Sequence, residues 1–158
     1  MINSDLVHSN VPTMSLNTRR GQFLQETDRL FPWAGWSVLI EPHYPKRGNG
    51  RPPYPLNPLL RLYLLQQWFD LSDLAAQEAA TDSVAVRGFM GLPLTWDRKA
   101  PDETTIRNFR QLLTRTGIAA TIASDAAECL AKQGWKIRQG VLSEARLVAD
   151  PSKHNSRS

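Results

Sequence analysis

The sequence has few residues of the kinds that build disulfides, metal sites or membrane segments. Its single cysteine, Cys129, cannot form an internal disulfide, and without a second thiol the three scattered histidines do not complete a zinc site. Residues 1–30 contain no apolar run that could serve as a signal-peptide core, and no stretch approaches the ~20 apolar residues of a membrane span. We therefore expect a soluble protein of a reducing cytoplasm, with no membrane partner and no metal site.

The remaining composition is that of a folded globular protein. Apolar residues make up 41% and charged residues 22% of the 158 residues, values that exclude wholesale disorder and fibrous repeats. The length fits one domain, or one domain and a fragment of a second. A net charge of +4 favours a nucleic-acid partner, although charge alone does not decide this.

Helical spacing of apolar residues dominates the chain after a polar arm at residues 1–17. The pattern predicts seven helices. The first ends at Pro32, the second covers residues 33–40, the third starts at Asn57-Pro58, the fourth starts at Ser72, the fifth runs from Ser83 to Gly91, the sixth runs from Asp102 to Gly117, and the seventh covers residues 118–132. On the helix after Asn57-Pro58, Gln67 joins the apolar stripe and Gln66 falls elsewhere around the axis. Two short helices beginning at Ser72 and Ser83 fit a helix-turn-helix as well as ordinary bundle packing, and we favour packing.

Two segments carry the residues that suit DNA contact. The proline-rich loop between Glu41 and Pro58 places Lys46, Arg47 and Arg51 beside Tyr44 and Tyr54, a mixture that suits a phosphate backbone but is also common in solvated connectors.

The helix after Asp102 buries Ile106, Phe109, Leu112 and Leu113 and leaves Arg107, Arg110, Gln111 and Arg115 on other faces. Arginine forks bind phosphate or guanine and glutamine pairs with adenine, while a basic C-terminal turn also simply stabilises a helix.

The periodicity changes after Gly134. Residues 141–148 read as a β-strand, because Val141, Leu142, Leu147 and Val148 form a short extended run. A single strand leaves its backbone groups unpaired, so we expect it to belong to a sheet. The predicted fold is therefore mainly α, with a C-terminal β-strand.

Six segments of the sequence form a characteristic series: residues 40–45 (IEPHYP), 48–56 (GNGRPPYPL), 67–68 (QW), 71–73 (LSD), 101–110 (PDETTIRNFR) and 140–145 (GVLSEA). Together they resemble the IS-five family of bacterial insertion-sequence transposases. Their order and spacing carry the resemblance.

The resemblance implies a helical DNA-binding domain over residues 18–134 and, from residue 135, the beginning of an RNase H-like α/β catalytic domain that is truncated at Ser158. It also implies that the protein binds double-stranded DNA carrying terminal inverted repeats. Further implied partners are a second copy of the chain, in a homo-oligomer, or full-length transposase. The implied location is the bacterial cytoplasm, in association with the nucleoid. In the family, three acidic residues hold two Mg²⁺ ions.

Glu144 stands where the family has its first metal-binding Asp. The longer Glu side chain displaces the carboxylate by about a bond length, and Arg146 on the same face of the strand can compete with the metal. With the later carboxylates missing, we expect this chain to bind DNA without cutting it. The alternatives are the N-terminal half of a split or frameshifted active enzyme, and an interaction protein that inhibits full-length transposase.

Overall fold

The computed structural model describes residues 19–93, 98–137 and 147–149. The helices of this part are α1 (Arg19–Leu30), α2 (Trp33–Ile40), α3 (Leu56–Phe69), α4 (Asp73–Asp82), α5 (Val84–Met90), α6 (Glu103–Arg115) and α7 (Ile118–Lys132), with a 3₁₀ helix at Glu41–His43. The prediction of a mainly helical fold is confirmed. Among these helices, none combines the length and the apolarity needed to cross a lipid bilayer.

Helix α3 forms the centre of the hydrophobic core. Its buried residues are Leu59, Leu60, Leu62, Tyr63, Leu64, Leu65, Gln66 and Trp68. Because these side chains point to most sides of the axis, α3 needs neighbours on most sides, and α2, α4, α5 and α6 pack around it. The Trp68 ring contacts the rings of Phe23, Phe31 and Phe89, with centroid distances of 5.0, 5.5 and 6.4 Å. These contacts join α1, α3 and α5 in one core.

The predicted caps at Ser72, Ser83 and Asp102 stand at the starts of α4, α5 and α6. The side chains of Ser72, Ser83 and Asp102 each accept a hydrogen bond from a backbone N–H in the first turn of the following helix, which satisfies a donor that has no partner within the helix. Gly91 and Gly117 end α5 and begin α7 with φ angles of 75° and 77°, a conformation that favours glycine. The sequence therefore located these ends correctly.

Two details of α3 differ from the prediction. The helix begins at Leu56, after Pro55, so Asn57 is its second residue and Pro58 its third. Proline is tolerated there because the first four N–H groups of a helix have no acceptor within it. The stripe assignment was also wrong: Gln67 is exposed and Gln66 is buried, since α3 is surrounded by other helices and its buried surface is wider than one stripe.

Two short strands follow α7. Strand β1 (Trp135–Ile137) pairs antiparallel with β2 (Leu147–Ala149), with Ile137 opposite Leu147 and Trp135 opposite Ala149. Of the strand predicted over residues 141–148, only residues 147 and 148 belong to the described part. The arm at residues 1–17 and residues 141–146, including Glu144, lie outside it. The RNase H-like domain therefore stays a prediction.

Candidate nucleic-acid interface

One side of α6 is a continuous polar surface. Ile106, Phe109, Leu112 and Leu113 are buried against the core. Residues three and four apart are neighbours on a helix, so the exposed side chains of α6 lie on one side of it, which we call the α6 face: Glu103, Thr104, Arg107, Asn108, Gln111, Thr114 and Arg115. Its one carboxylate, that of Glu103, lies in the first turn of the helix, and its other side chains are two arginines, two amides and two hydroxyls. These are the side chains that bind phosphates and base edges.

Arg110 does not belong to the α6 face. Its Nε and Nη2 atoms donate to the Asp73 carboxylate at 3.2 and 2.8 Å, which ties α6 to the first turn of α4. Asp73 Oδ1 also accepts from Gln66 Nε2 at 2.9 Å. The hydrogen bonds from Arg110 and Gln66, aided by the positive charges of Arg110 and Arg107, outweigh the effect of burial and hold the pKa of Asp73 below its ordinary value. The structure therefore brings Arg107, Gln111 and Arg115 together and commits Arg110 to packing.

A pocket of about 620 Å³ adjoins the α6 face. It lies between the loop of residues 44–54, the loop of residues 98–102 and α6, and we call it the basic pocket. Its charged and aromatic lining residues are Lys46, Arg51, Lys99, Asp102, Tyr44, Tyr54 and Phe109. The lining thus has three cations against one carboxylate. Arg47 is exposed on the same loop and is not part of the lining.

Two tyrosines hold the loops of the basic pocket together. The Tyr44 hydroxyl donates to the carbonyl of Tyr54, and the Tyr54 hydroxyl donates to the carbonyl of Lys99 at 2.9 Å. Burial raises the pKa of Tyr44 to about 12 and raises that of Tyr54 against the charges of Arg98 and Arg87. Both hydroxyls therefore keep their protons at neutral pH and remain donors. The Tyr44 ring also packs edge-on against Phe109, with centroids 6.1 Å apart.

The loop that carries Lys99 is anchored from inside by Arg87. This side chain is 2% exposed and donates to the carbonyls of Ala80, Pro93 and Arg98 at 3.0, 2.9 and 2.9 Å. Arg87 is therefore a structural cation and does not reach a DNA surface. The interpretation of α4 and α5 as packing helices, rather than as a helix-turn-helix that reads DNA, is the one that this burial supports.

Sequence reasoning missed Lys99, Thr105 and Asn108 as parts of the site. All three line the basic pocket. The basic pair Arg98-Lys99, just before the Asp102 cap, was a visible signal. Its distance along the chain from Lys46 and Arg51 concealed the connection, which depends on the hydrogen bond from Tyr54 to Lys99.

The described residues contain no group of three or more histidine, cysteine, aspartate or glutamate side chains that could hold a metal ion. Glu144, the residue that the resemblance places at a Mg²⁺ site, is outside them. The expected Mg²⁺ dependence of an intact relative therefore stays a prediction.

Comparison with known proteins supports the resemblance to a transposase and does not specify the IS-five type. No solved structure matches the chain. Residues 13–112 match a protein family described as a transposase domain, DUF772. The matched segment contains the whole lining of the basic pocket and the α6 face as far as Gln111. Because it covers more than half of the sequence, the chain belongs to the transposase-domain family DUF772.

Proposed function

We propose that this protein binds double-stranded DNA as the DNA-recognition part of an insertion-sequence transposase of the IS-five type. The observation that carries the proposal is the α6 face, a row of arginine and amide side chains on a helix whose other side is buried. Membership of a transposase-domain family supports a role in transposition. The basic pocket beside the α6 face adds a second group of cations.

The α6 face has the dimensions and chemistry of a major-groove reader. The major groove of B-form DNA is about 12 Å wide and admits one α-helix. Arg107 and Gln111 are one helical turn apart and exposed, so both side chains can reach adjacent base pairs in the same groove. Their preferred partners are the acceptor pair of guanine and the donor and acceptor pair of adenine.

The loop cations have a different task in this proposal. Lys46, Arg47 and Arg51 extend from an irregular loop, and Lys99 lines the basic pocket together with Lys46 and Arg51. Such side chains contact phosphates, which sets the position of the protein on the duplex without reading its sequence. Arg115, at the C-terminal end of α6, also suits a phosphate contact. Arg110 is left out because it is paired with Asp73.

The test is fluorescence anisotropy with two labelled duplexes of equal length and composition. One carries the terminal inverted repeat of the insertion sequence that encodes the protein, and the other carries a scrambled version. We expect tighter binding to the repeat and, for about four to six phosphate contacts, an affinity that falls by roughly 10²–10³ between 50 and 200 mM salt. An affinity that is independent of salt, or no binding at 50 mM salt, contradicts the proposal.

Matched substitutions separate base reading from phosphate contact. Arg107→Ala should cost about 1–3 kcal/mol on the repeat and reduce the preference over the scrambled duplex, whereas Arg47→Ala should weaken both duplexes alike and lower the salt slope by about one. Arg29→Ala removes an exposed arginine from the last turn of α1 and is the control for net charge. Equal effects of Arg107→Ala on both duplexes would limit α6 to phosphate contact.

A further inference from the structure

The basic pocket has an apolar lining and a volume that contact with a phosphate alone does not require. Its lining includes the apolar and aromatic residues Leu59, Phe109, Leu112, Tyr44 and Tyr54. A cation that only touches a passing phosphate needs no concave apolar surface. The volume of about 620 Å³ is within the range of about 300–1,000 Å³ that is typical of pockets for small molecules.

Polar side chains in the basic pocket suit the edge of a nucleobase. Asn108 and Gln77 line it, and an amide offers a donor and an acceptor side by side, as a base edge does. Gln77 Oε1 accepts from the backbone N–H of Glu103 at 2.8 Å, which fixes the orientation of that amide. Thr105 is a further polar residue of the lining.

The charges of the basic pocket suit a phosphate. Lys46, Arg51 and Lys99 are exposed at its opening. The carboxylate of Asp102 is committed to capping α6, because Oδ1 accepts from the N–H of Thr105 at 2.7 Å. The hydrogen bonds from Thr105 lower the pKa of Asp102, and the charge of Arg51 adds to this effect. Positive charge at the opening therefore exceeds negative charge at neutral pH.

Asn108 connects the basic pocket to the α6 face, because it lines the one and belongs to the other. From this arrangement we propose that the basic pocket binds one unpaired nucleotide, with the base between the aromatic rings and Asn108 and the phosphate at the three cations. A DNA strand that runs along the α6 face can deliver such a nucleotide from an unpaired end, and a free nucleotide has the same chemistry. The DNA source of the ligand depends on the proposed function.

The first experiment asks whether the base contributes to binding. Three versions of one duplex are compared by anisotropy at fixed salt: blunt, with a three-nucleotide overhang, and with the same overhang made of abasic sites. Both overhang polarities are used. The abasic version keeps the phosphates and removes the bases, so it isolates the base contact. Stacking of one base predicts that the intact overhang binds about tenfold more tightly than the abasic one.

A second arm tests the free ligand. Deoxynucleoside monophosphates and inorganic phosphate are titrated against the full chain, with intrinsic tryptophan fluorescence as the readout. Tighter binding of a monophosphate than of phosphate supports the pocket with a free nucleotide as its source, and the overhang effect supports it with DNA as its source. If the bases of the overhang add nothing and the monophosphates bind no better than phosphate, the inference is overturned.

Substitutions test whether the contribution of the bases to binding arises in the basic pocket. Arg51→Gln removes one cation of the lining, and Arg29→Gln makes the same change on an exposed arginine of α1. We expect Arg51→Gln to weaken binding of the intact overhang at least threefold and Arg29→Gln to leave it unchanged, with folding checked by circular dichroism. A base effect that Arg51→Gln does not alter would place the nucleotide elsewhere and overturn the inference.

The two proposals fail in different ways. Salt-dependent binding of the blunt duplex without any effect of the bases leaves the proposed function in place and removes the nucleotide pocket. Absence of binding to every duplex removes the proposed function, while the monophosphate titration still decides whether the pocket takes a nucleotide.

Discussion

Asp73 offers the sharpest test of how α6 is held in position. Its carboxylate accepts hydrogen bonds from Arg110 of α6 and from Gln66 of α3, so it connects three helices. Gln66 is 4% exposed, and its Oε1 is buried without a hydrogen-bond partner in the described part of the chain. Removal of Asp73 would therefore take away the nearer acceptor of Gln66 Nε2. This nitrogen would keep only its longer hydrogen bond, 3.3 Å, to the carbonyl of Leu71.

The magnitude follows from these contacts. A hydrogen bond to a charged group contributes about 1.5–3 kcal/mol. The side chains of Arg110 and Asp73 are 40% and 14% exposed, so solvent screening places the ion pair near the lower limit. Loss of the Gln66 contact adds about 1 kcal/mol. We expect Asp73→Ala to cost about 2–3 kcal/mol and Asp73→Asn, which keeps an acceptor for Gln66, about 1–1.5 kcal/mol.

The pH dependence has a definite sign. The pKa of Asp73 in the folded protein is lowered below its ordinary value of 3.8, so its contribution to stability is fully present above that value. The contribution is lost as the pH falls through the folded pKa. The difference in free energy of unfolding between wild type and Asp73→Asn should therefore be constant near neutral pH and shrink below about pH 4.

Urea denaturation followed by circular dichroism measures these free energies. Glu78→Gln is the matched control, because Glu78 is exposed on the same helix and the substitution should change stability by less than about 0.5 kcal/mol. A double-mutant cycle with Arg110→Ala should give a coupling of about 1 kcal/mol. If Asp73→Asn costs no more than Glu78→Gln, or if the coupling is zero, the role assigned to Asp73 is refuted.

Three further predictions concern the local supports of the interface. Arg87→Met should cost about 3 kcal/mol, because the buried carbonyl of Ala80 and the part-buried carbonyls of Pro93 and Arg98 lose their donor; a change below 1 kcal/mol in urea denaturation would contradict this. Asp102→Ala should cost about 1 kcal/mol through loss of the cap on α6, measured by thermal unfolding, and an unchanged melting temperature would show that the cap is dispensable. Gly117→Ala should cost about 1–2 kcal/mol because its φ is 77°, whereas Gly48→Ala, with open space around the position, should be neutral; equal effects of the two would remove the backbone argument.

Much of the fold could be read from the sequence because its signals are local. Ser72, Ser83 and Asp102 cap helices through bonds that span three residues, and Gly91 and Gly117 mark ends through their own backbone angles. Apolar spacing located the helices for the same reason, since a helix repeats every 3.6 residues whatever surrounds it. The start of α3 was predicted wrongly because Asn57-Pro58 has the residue types of a helix start, although both residues lie within the first turn of the helix.

The site was only partly predictable. The exposed stripe with Arg107, Gln111 and Arg115 follows from helical spacing, because its residues are close along one helix. The sequence by itself therefore determined the helices, their ends and the polar side of α6. Only the tertiary structure decided that Arg110 turns to Asp73, that Arg87 is buried, and that Lys99 closes a pocket with Lys46 and Arg51. These outcomes depend on contacts between residues distant in the chain, whose partners no local pattern specifies.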